Sequence, residues 1–215
     1  MTLLNQQAYE HILDLIITNQ LEEQTIYSET KLSKKLGISR TPLRDAIQRL
    51  AQEGYIDIIP SKGFALHQLT KKDVTETFQV RSALECYCTL QITKKHTSPE
   101  AQALFNDLSE ILEHLKEIKE TTHDLKEFID YDFQFHEKII RYVNNEQFFS
   151  LFVTYSYRMK RFAQLSLSHE RRMEDTYDEH MAILSTMKNG DVNNILEVTL
   201  RHMDNPYEIN MGDVP

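Results

Sequence analysis

The 215-residue sequence predicts a mainly α protein: an N-terminal winged helix-turn-helix (three helices plus a β-hairpin) followed by a C-terminal antiparallel all-α bundle. Three observations predict it. Apolar residues recur at helical spacing through most of the chain, the mark of amphipathic helices. Three of the five glycines, Gly37, Gly54 and Gly63, fall close together, so only the N-terminal third has the punctuation of short elements. Alternating apolar runs suited to strands occur between Tyr55 and His67, and nothing after Asp73 reads as strand.

The elements follow in order. Tyr9, Ile12, Leu13, Ile16 and Ile17 form the stripe of a first helix. Ser28 can cap a second, carrying Leu32 and Leu36 and stopped by Gly37. Ser39 can cap a third, with Pro42 in the first turn, where a missing N–H costs nothing, and Leu43, Ala46, Ile47 and Leu50 facing inward. Tyr55 to Ile59 and Phe64 to His67 flank the turn Pro60-Ser61-Lys62-Gly63 as a hairpin. This domain occupies residues 1–68. Thr70 can cap the first bundle helix, so the linker is a few residues. Further helices are expected near 71–95, 99–120, 124–143, 146–168, 170–189 and 191–204, making a 71–205 domain. Residues 206–215, beginning at Pro206, are expected to be a frayed tail.

Composition sets limits. No apolar run reaches about 18 residues, so no membrane span is expected. Two cysteines, Cys86 and Cys88, make no disulfide framework, and the N-terminus lacks a signal-peptide pattern, which together suggest the cytoplasm. The formal charge is −9, which argues against a protein that coats phosphates with its whole surface. Distribution reverses the inference for one domain. Residues 69–215 hold 17 basic and 25 acidic side chains, so nearly all the acidity lies there. Lys31, Lys34, Lys35, Arg40, Arg44 and Arg49 instead form a basic stretch interrupted only by Asp45.

That stretch carries the chemistry of DNA reading. Arg40 and Arg44 are four apart, opposite the apolar face and at the end of the helix that this motif inserts into the major groove. Arginine can make two hydrogen bonds to guanine O6 and N7. Ser39 and Thr41 can reach phosphates or base edges, and Arg49 extends the basic face. Lys62 and Gly63 at the wing tip suit the minor groove, where glycine permits close approach. A solvated helix with ordinary surface charges is the competing interpretation, and the order of three helices and a hairpin outweighs it.

In the bundle, Asp132 and His136 share one face with Leu125, Ile129, Ile139 and Val143. His180 lies in line with Met173, Tyr177, Leu184 and Met187, and His202 with Ile195, Val198 and Thr199. Each places a polar group where an unpaired one is costly. One carboxylate with three imidazoles suits Zn²⁺, Ni²⁺, Mn²⁺ or Fe²⁺, with positions left open. Each histidine taken alone is equally an ordinary core residue bonded to a neighbour. Arg81 shares a partly apolar face with Thr77, Phe78, Glu85 and Cys88, and an Arg81–Glu85 helix pair is its simplest role.

Leu32-Ser33-Lys34-Lys35-Leu36-Gly37-Ile38-Ser39-Arg40-Thr41-Pro42-Leu43-Arg44-Asp45-Ala46-Ile47-Gln48-Arg49-Leu50, with Glu53-Gly54-Tyr55 and Pro60-Ser61-Lys62-Gly63, resembles the DNA-binding domain of GntR-family transcription regulators over about residues 8–68. One departure is Asn19-Gln20-Leu21-Glu22-Glu23-Gln24, where family members often carry glycines. Arg81-x-x-Leu84-Glu85, Asp132-x-x-x-His136, Asn145-x-x-Phe148-x-x-Leu151, Glu179-His180-x-x-Ile183-Leu184, Gly190-Asp191 and Arg201-His202-Met203 resemble the FadR-type ligand-binding domain called FCD, over about 71–204. The resemblance implies that a divalent metal is held by Asp132, His136, His180 and His202. It also implies that Arg81 meets a small organic acid effector, with Tyr155 and Arg158 as weaker candidates for the same pocket. A homodimer on an inverted-repeat operator follows, a repressor by family habit. Two alternatives stand beside it: a helical metalloenzyme, since such ligation is also catalytic hardware, and a regulator that senses the metal itself.

Overall fold

A computed structural model describes residues 3–17, 20–22 and 24–215, without the side chains of Leu3 and Ile17. The expected role of Ile17, and the Asn19 and Glu23 positions of the unusual link, therefore lie outside the described residues. The chain divides into two compact units, residues 1–69 and 70–215.

In the first unit, α1 (Leu3–Ile17), α2 (Glu29–Leu36) and α3 (Arg40–Gln52) precede β1 (Ile56–Ile59) and β2 (Gly63–Leu66). Ala8, Tyr9, Ile12 and Ile16 of α1 are buried, as are Leu43, Ala46, Ile47 and Leu50 of α3, so the two stripes supply the core of this unit. The Ser28 side chain accepts from the Lys31 N–H at the start of α2, and Gly37 closes α2 in the left-handed conformation at φ 67°. Ser39 occupies the cap position of α3 with extended backbone, yet its hydroxyl makes no capping bond, contrary to expectation. The strands pair antiparallel, Ile56 opposite Leu66 and Ile59 opposite Gly63. Tyr27 bridges Phe64 from outside the hairpin, and their rings stack with centroids 5.8 Å apart.

Gly63 departs from its expected place. It is buried, at φ +138°, and a Cβ there would lie 2.0 Å from the Tyr27 carbonyl oxygen. The close approach that demands glycine is therefore to this domain's own backbone.

The second unit contains α4 (Lys71–Lys94), α5 (Pro99–Glu120), α6 (Leu125–Tyr142), α7 (Glu146–Leu167), α8 (Arg172–Lys188) and α9 (Ile195–Asp213). Thr70 and Asp73 cap α4 reciprocally, side chain to backbone in both directions. Helix α4 packs against α6, α7, α8 and α9. Its buried face is unusually polar: Thr77, Arg81, Glu85, Thr89 and Thr93 lie among Val74, Phe78, Leu84, Cys88 and Ile92. The apolar core is filled from the other helices by Phe105, Leu108, Leu115, Phe128, Phe135, Ile139, Phe152 and Met187.

The end of the chain corrects the sequence reading. Asp191 accepts from the Asn193 and Asn194 N–H groups, so residues 191–194 form a turn and α9 starts at Ile195. The helix then continues through Pro206 to Asp213, and the expected frayed tail is ordered helix. Pro206 removes one helical donor, but Met203, Pro206, Asn210 and Val214 are all buried. Asn210 donates to the Pro206 carbonyl, and His169 meets Asp213 at 2.8 Å. Burial of the far half outweighs the lost bond.

Candidate metal centre and nucleic-acid interface

Helix α6 carries Asp132 and His136 one turn apart, α8 carries His180 and α9 carries His202. All four side chains are buried. The three Nε2 atoms converge, with separations of 3.1 Å (His136–His180), 3.3 Å (His180–His202) and 3.3 Å (His136–His202). Asp132 Oδ1 lies 3.5 Å from the His180 Nε2 and 3.8 Å from that of His136. Nitrogens about 2.0–2.1 Å from a shared ion stand roughly 2.9–3.4 Å apart for octahedral to tetrahedral angles, which this triangle matches.

The hydrogen bonds decide which nitrogens are available. His136 Nδ1 lies 2.6 Å from Glu85 Oε2, and His202 Nδ1 lies 2.7 Å from Glu179 Oε2. Both carboxylates are ionised. Burial pushes the Glu85 carboxyl up, but His136 and Arg81 outweigh it and hold the group down at about 2. Burial likewise opposes, and His202 and Arg172 prevail, at Glu179, also near 2. An ionised carboxylate only accepts, so each Nδ1 is the N–H and each Nε2 is left with its lone pair.

His180 Nδ1 is buried without a partner among the described residues, so only two of the three tautomers are fixed this way, and lone pairs crowded in this triangle repel one another unless a positive charge lies between them. Burial, then the other two imidazoles, push His180 well below its ordinary value. His202 is lowered too, by burial first. At His136, burial and Arg81 disfavour the charged ring, but Glu85 and Asp132 raise it overall. Two of the three rings thus resist protonation, whereas a divalent cation between them would satisfy all three nitrogens. Glu85 and Glu179 supply the carboxylate–histidine support that orients metal ligands. Phe135 stacks on the His180 ring with centroids 4.2 Å apart and fixes its plane. The group fits, and the cluster can hold a metal ion.

Sequence reasoning quoted Glu179 only within a family motif, gave Glu85 no role beyond the helix partner of Arg81, and missed Arg172. Arg172 grips Glu179 with two bonds of 2.8 Å. Its signal was weak: a spacing of seven residues, two turns on one helix face.

Arg81 is 8% exposed, and its Nε donates to Glu85 at 2.7 Å. Its Nη2 is buried without a partner among the described residues. Arg81 and Asp132 border two narrow cavities, one reaching toward Arg172, Thr176 and His202, the other toward Phe133 and Phe152. Tyr155 and Arg158 line neither. Arg158 instead meets Asp73 at 3.5 Å, and its guanidinium stands 5.9 Å from the Tyr155 ring centre.

In the first unit, Ser39, Arg40, Thr41, Arg44 and Lys62 are exposed. They surround the N-terminal end of α3 and the hairpin turn. Arg44 reaches Glu29 at 3.5 Å with 56% of its side chain exposed, a weak contact that leaves it free to turn outward. Arg49 is held differently: it pairs with Glu53 at 2.8 Å and lies over the Tyr9 ring at 4.0 Å. It joins α3 to α1.

Comparison with known proteins agrees with both units. Residues 4–66 match the family of bacterial regulatory proteins designated gntR, and residues 76–205 match the FCD domain. A gluconate operon transcriptional repressor of Bacillus licheniformis is 31% identical over 169 residues, covering 79% of this chain and 66% of the repressor. The chain thus aligns with just under two thirds of that relative. Among solved structures, a transcriptional regulator from Rhodococcus sp. RHA1 superposes with a TM-score of 0.74 at 16% identity, over 98% of this chain and 99% of that one. A metal-free FCD domain superposes with a TM-score of 0.56 at 23% identity, over 67% of this chain and 96% of that one. Both structural likenesses speak to the fold.

Proposed function

Since the chain belongs to the gntR family of bacterial regulatory proteins and carries an FCD domain, we propose that it is a metabolite-controlled repressor working as a homodimer on an inverted-repeat operator in the cytoplasm. The relatives and families matched are regulators, not enzymes, which removes the metalloenzyme alternative. Repression follows the printed role of the Bacillus relative.

Each wing domain would read one half-site. Arg40 and Arg44 face base edges, while Ser39, Thr41 and Lys62 hold phosphates. In the bundle, Asp132, His136, His180 and His202 would hold a divalent ion. When bound, it supplies a Lewis-acidic centre with positions open to a ligand oxygen. Glu85 and Glu179 keep the Nδ1 protons in place, so that the Nε2 lone pairs stay directed at the ion. Arg81 offers its free Nη2 to a carboxylate.

The observation that carries the effector reading is that this unpartnered guanidinium nitrogen, Asp132 and His202 border one narrow cavity, whose space of about 20 Å³ an acid would have to widen. An acid bound there switches operator occupancy if it favours one arrangement of the dimer over the other. The test is a gel-shift titration on DNA flanking the protein's own coding sequence, run with chelated and with Zn²⁺-loaded protein, with and without small organic acids. Acid-dependent release from the loaded protein alone supports the reading. Binding that follows metal with no response to any acid makes the metal the signal, and binding indifferent to both overturns it.

A further inference from the structure

The exposed cations at the reading end of the wing domain are not equivalent. Lys34 and Lys35 at the end of α2, Arg40 and Arg44 on α3, and Lys62 at the hairpin turn are all exposed. Of these five, only Arg44 has a carboxylate partner among the described residues: Glu29 Oε2 lies 3.5 Å from its Nη2.

The two members of that pair are held unequally. Ser28 caps α2, so Glu29 opens its first turn, where free N–H groups and the helix dipole favour a carboxylate. The Glu29 side chain is 17% exposed, against 56% for Arg44. The acid is fixed and the arginine swings, so the carboxylate stays behind when Arg44 leaves for DNA.

A fixed acid beside a mobile arginine sets a threshold on what that arginine will leave for. Such an exposed pair is worth up to about fivefold in an equilibrium constant. Two hydrogen bonds to guanine O6 and N7 exceed that threshold. A lone phosphate oxygen or a wrong base offers less, and the guanidinium falls back to Glu29. Lys34, Lys35 and Lys62 have no such alternative and can meet any phosphate within reach.

We propose that Glu29 is a specificity-determining residue, which withholds Arg44 from the phosphate backbone and releases it to the base edge that Arg44 reads. It is a positioning residue, acting through Arg44 with no DNA contact of its own. Building a penalty against wrong partners raises discrimination at little cost to the right one. This rests on the DNA-reading role of Arg44 and deepens it. The competing account is an acid that only steadies the start of α2, which predicts a change in melting and none in discrimination.

The test starts from DNA enriched out of a random pool by the full-length protein, which serves as the operator, beside an unselected duplex of equal length. Fluorescence anisotropy across a salt series measures both for the wild type, Glu29→Gln, Arg44→Ala and the double variant. Glu29→Gln should tighten binding to the unselected duplex more than to the operator, so that the ratio of affinities falls about two- to fivefold. On the unselected duplex alone, the slope of log affinity against log salt should steepen by about 0.9, the mark of one more phosphate contact. In the Arg44→Ala background, Glu29→Gln should leave the ratio unchanged. Equal tightening on both duplexes makes Glu29 a general negative charge and overturns the proposal. So does a ratio that still falls without Arg44, or a lowered melting temperature with discrimination intact. If the wild-type protein enriches no sequence, the DNA-reading role itself fails, and the proposal with it.

Discussion

The two units place their polar chemistry on opposite sides of their helices. In α3 the apolar stripe is buried and Arg40, Thr41 and Arg44 face out. In α4, α6, α8 and α9 the charged and imidazole groups share the buried face. An exposed side chain acts on what arrives from solution, so its helix position nearly defines it. A buried one is defined by its partners, and those of His136 lie 44, 51 and 66 residues away in the chain. The teaching is physical: periodicity assigns a face, but only packing assigns a partner.

The strongest way to break this contrast is His180→Ala. It should abolish metal retention and, because bound ligand stabilises by mass action, lower the stability of the bundle by about 3–4 kcal/mol at metal concentrations of about 100–1,000 Kd. Metal analysis and melting with and without chelator measure it. Melting indifferent to chelator returns the three histidines to a purely structural role.

Gly63→Ala addresses the wing domain. The new Cβ would meet the Tyr27 carbonyl at a backbone angle that side chains rarely adopt, so a loss of about 2–3 kcal/mol is expected in that unit. Hydrogen exchange should report it at the hairpin and leave the bundle protected as before. Retained hairpin protection would show that the Tyr27 bridge yields.

Arg44→Ala sharpens the comparison from the outside. It should cost about 1–3 kcal/mol of base discrimination while leaving helicity, melting and metal content unchanged. An unaltered footprint refutes its assigned role. Arg49→Ala should instead act on stability, through the Tyr9 and Glu53 contacts.

The shallowest effect is on acid stability. Glu85 and Glu179 are held down at about 2 from an ordinary 4.5. Lowered carboxylates contribute stability above their unfolded value and lose it as pH falls through the folded one. The bundle should therefore weaken between about pH 4.5 and 2. Glu179→Gln should flatten that dependence in pH-dependent melts followed by circular dichroism.

Much of this was legible beforehand. Thr70, Gly37 and Ser28 mark helix ends because capping is local chemistry. The bundle helices through α8 lie near their expected positions for the same reason. Pro206 misled, because a local rule stops a helix there while burial of Asn210 and Val214 carries it on. Arg158 and Tyr155 share a helix with Met159, which lines the cavities, yet helical rotation turns them away. Ser39 holds its cap position without a capping bond, and nothing in the structure explains the choice.

By itself the sequence determined the helical stripes, the hairpin, the split of charge between two domains and the four candidate ligands. Those depend on period, composition and neighbours a few residues apart. Only the tertiary structure decided that three Nε2 atoms meet, that Glu85 and Glu179 fix the protons of two of those rings, and that Thr77, Arg172 and Thr176 share a cavity with Arg81. Those facts depend on how distant helices pack, where a fraction of a turn decides whether two polar groups face one another.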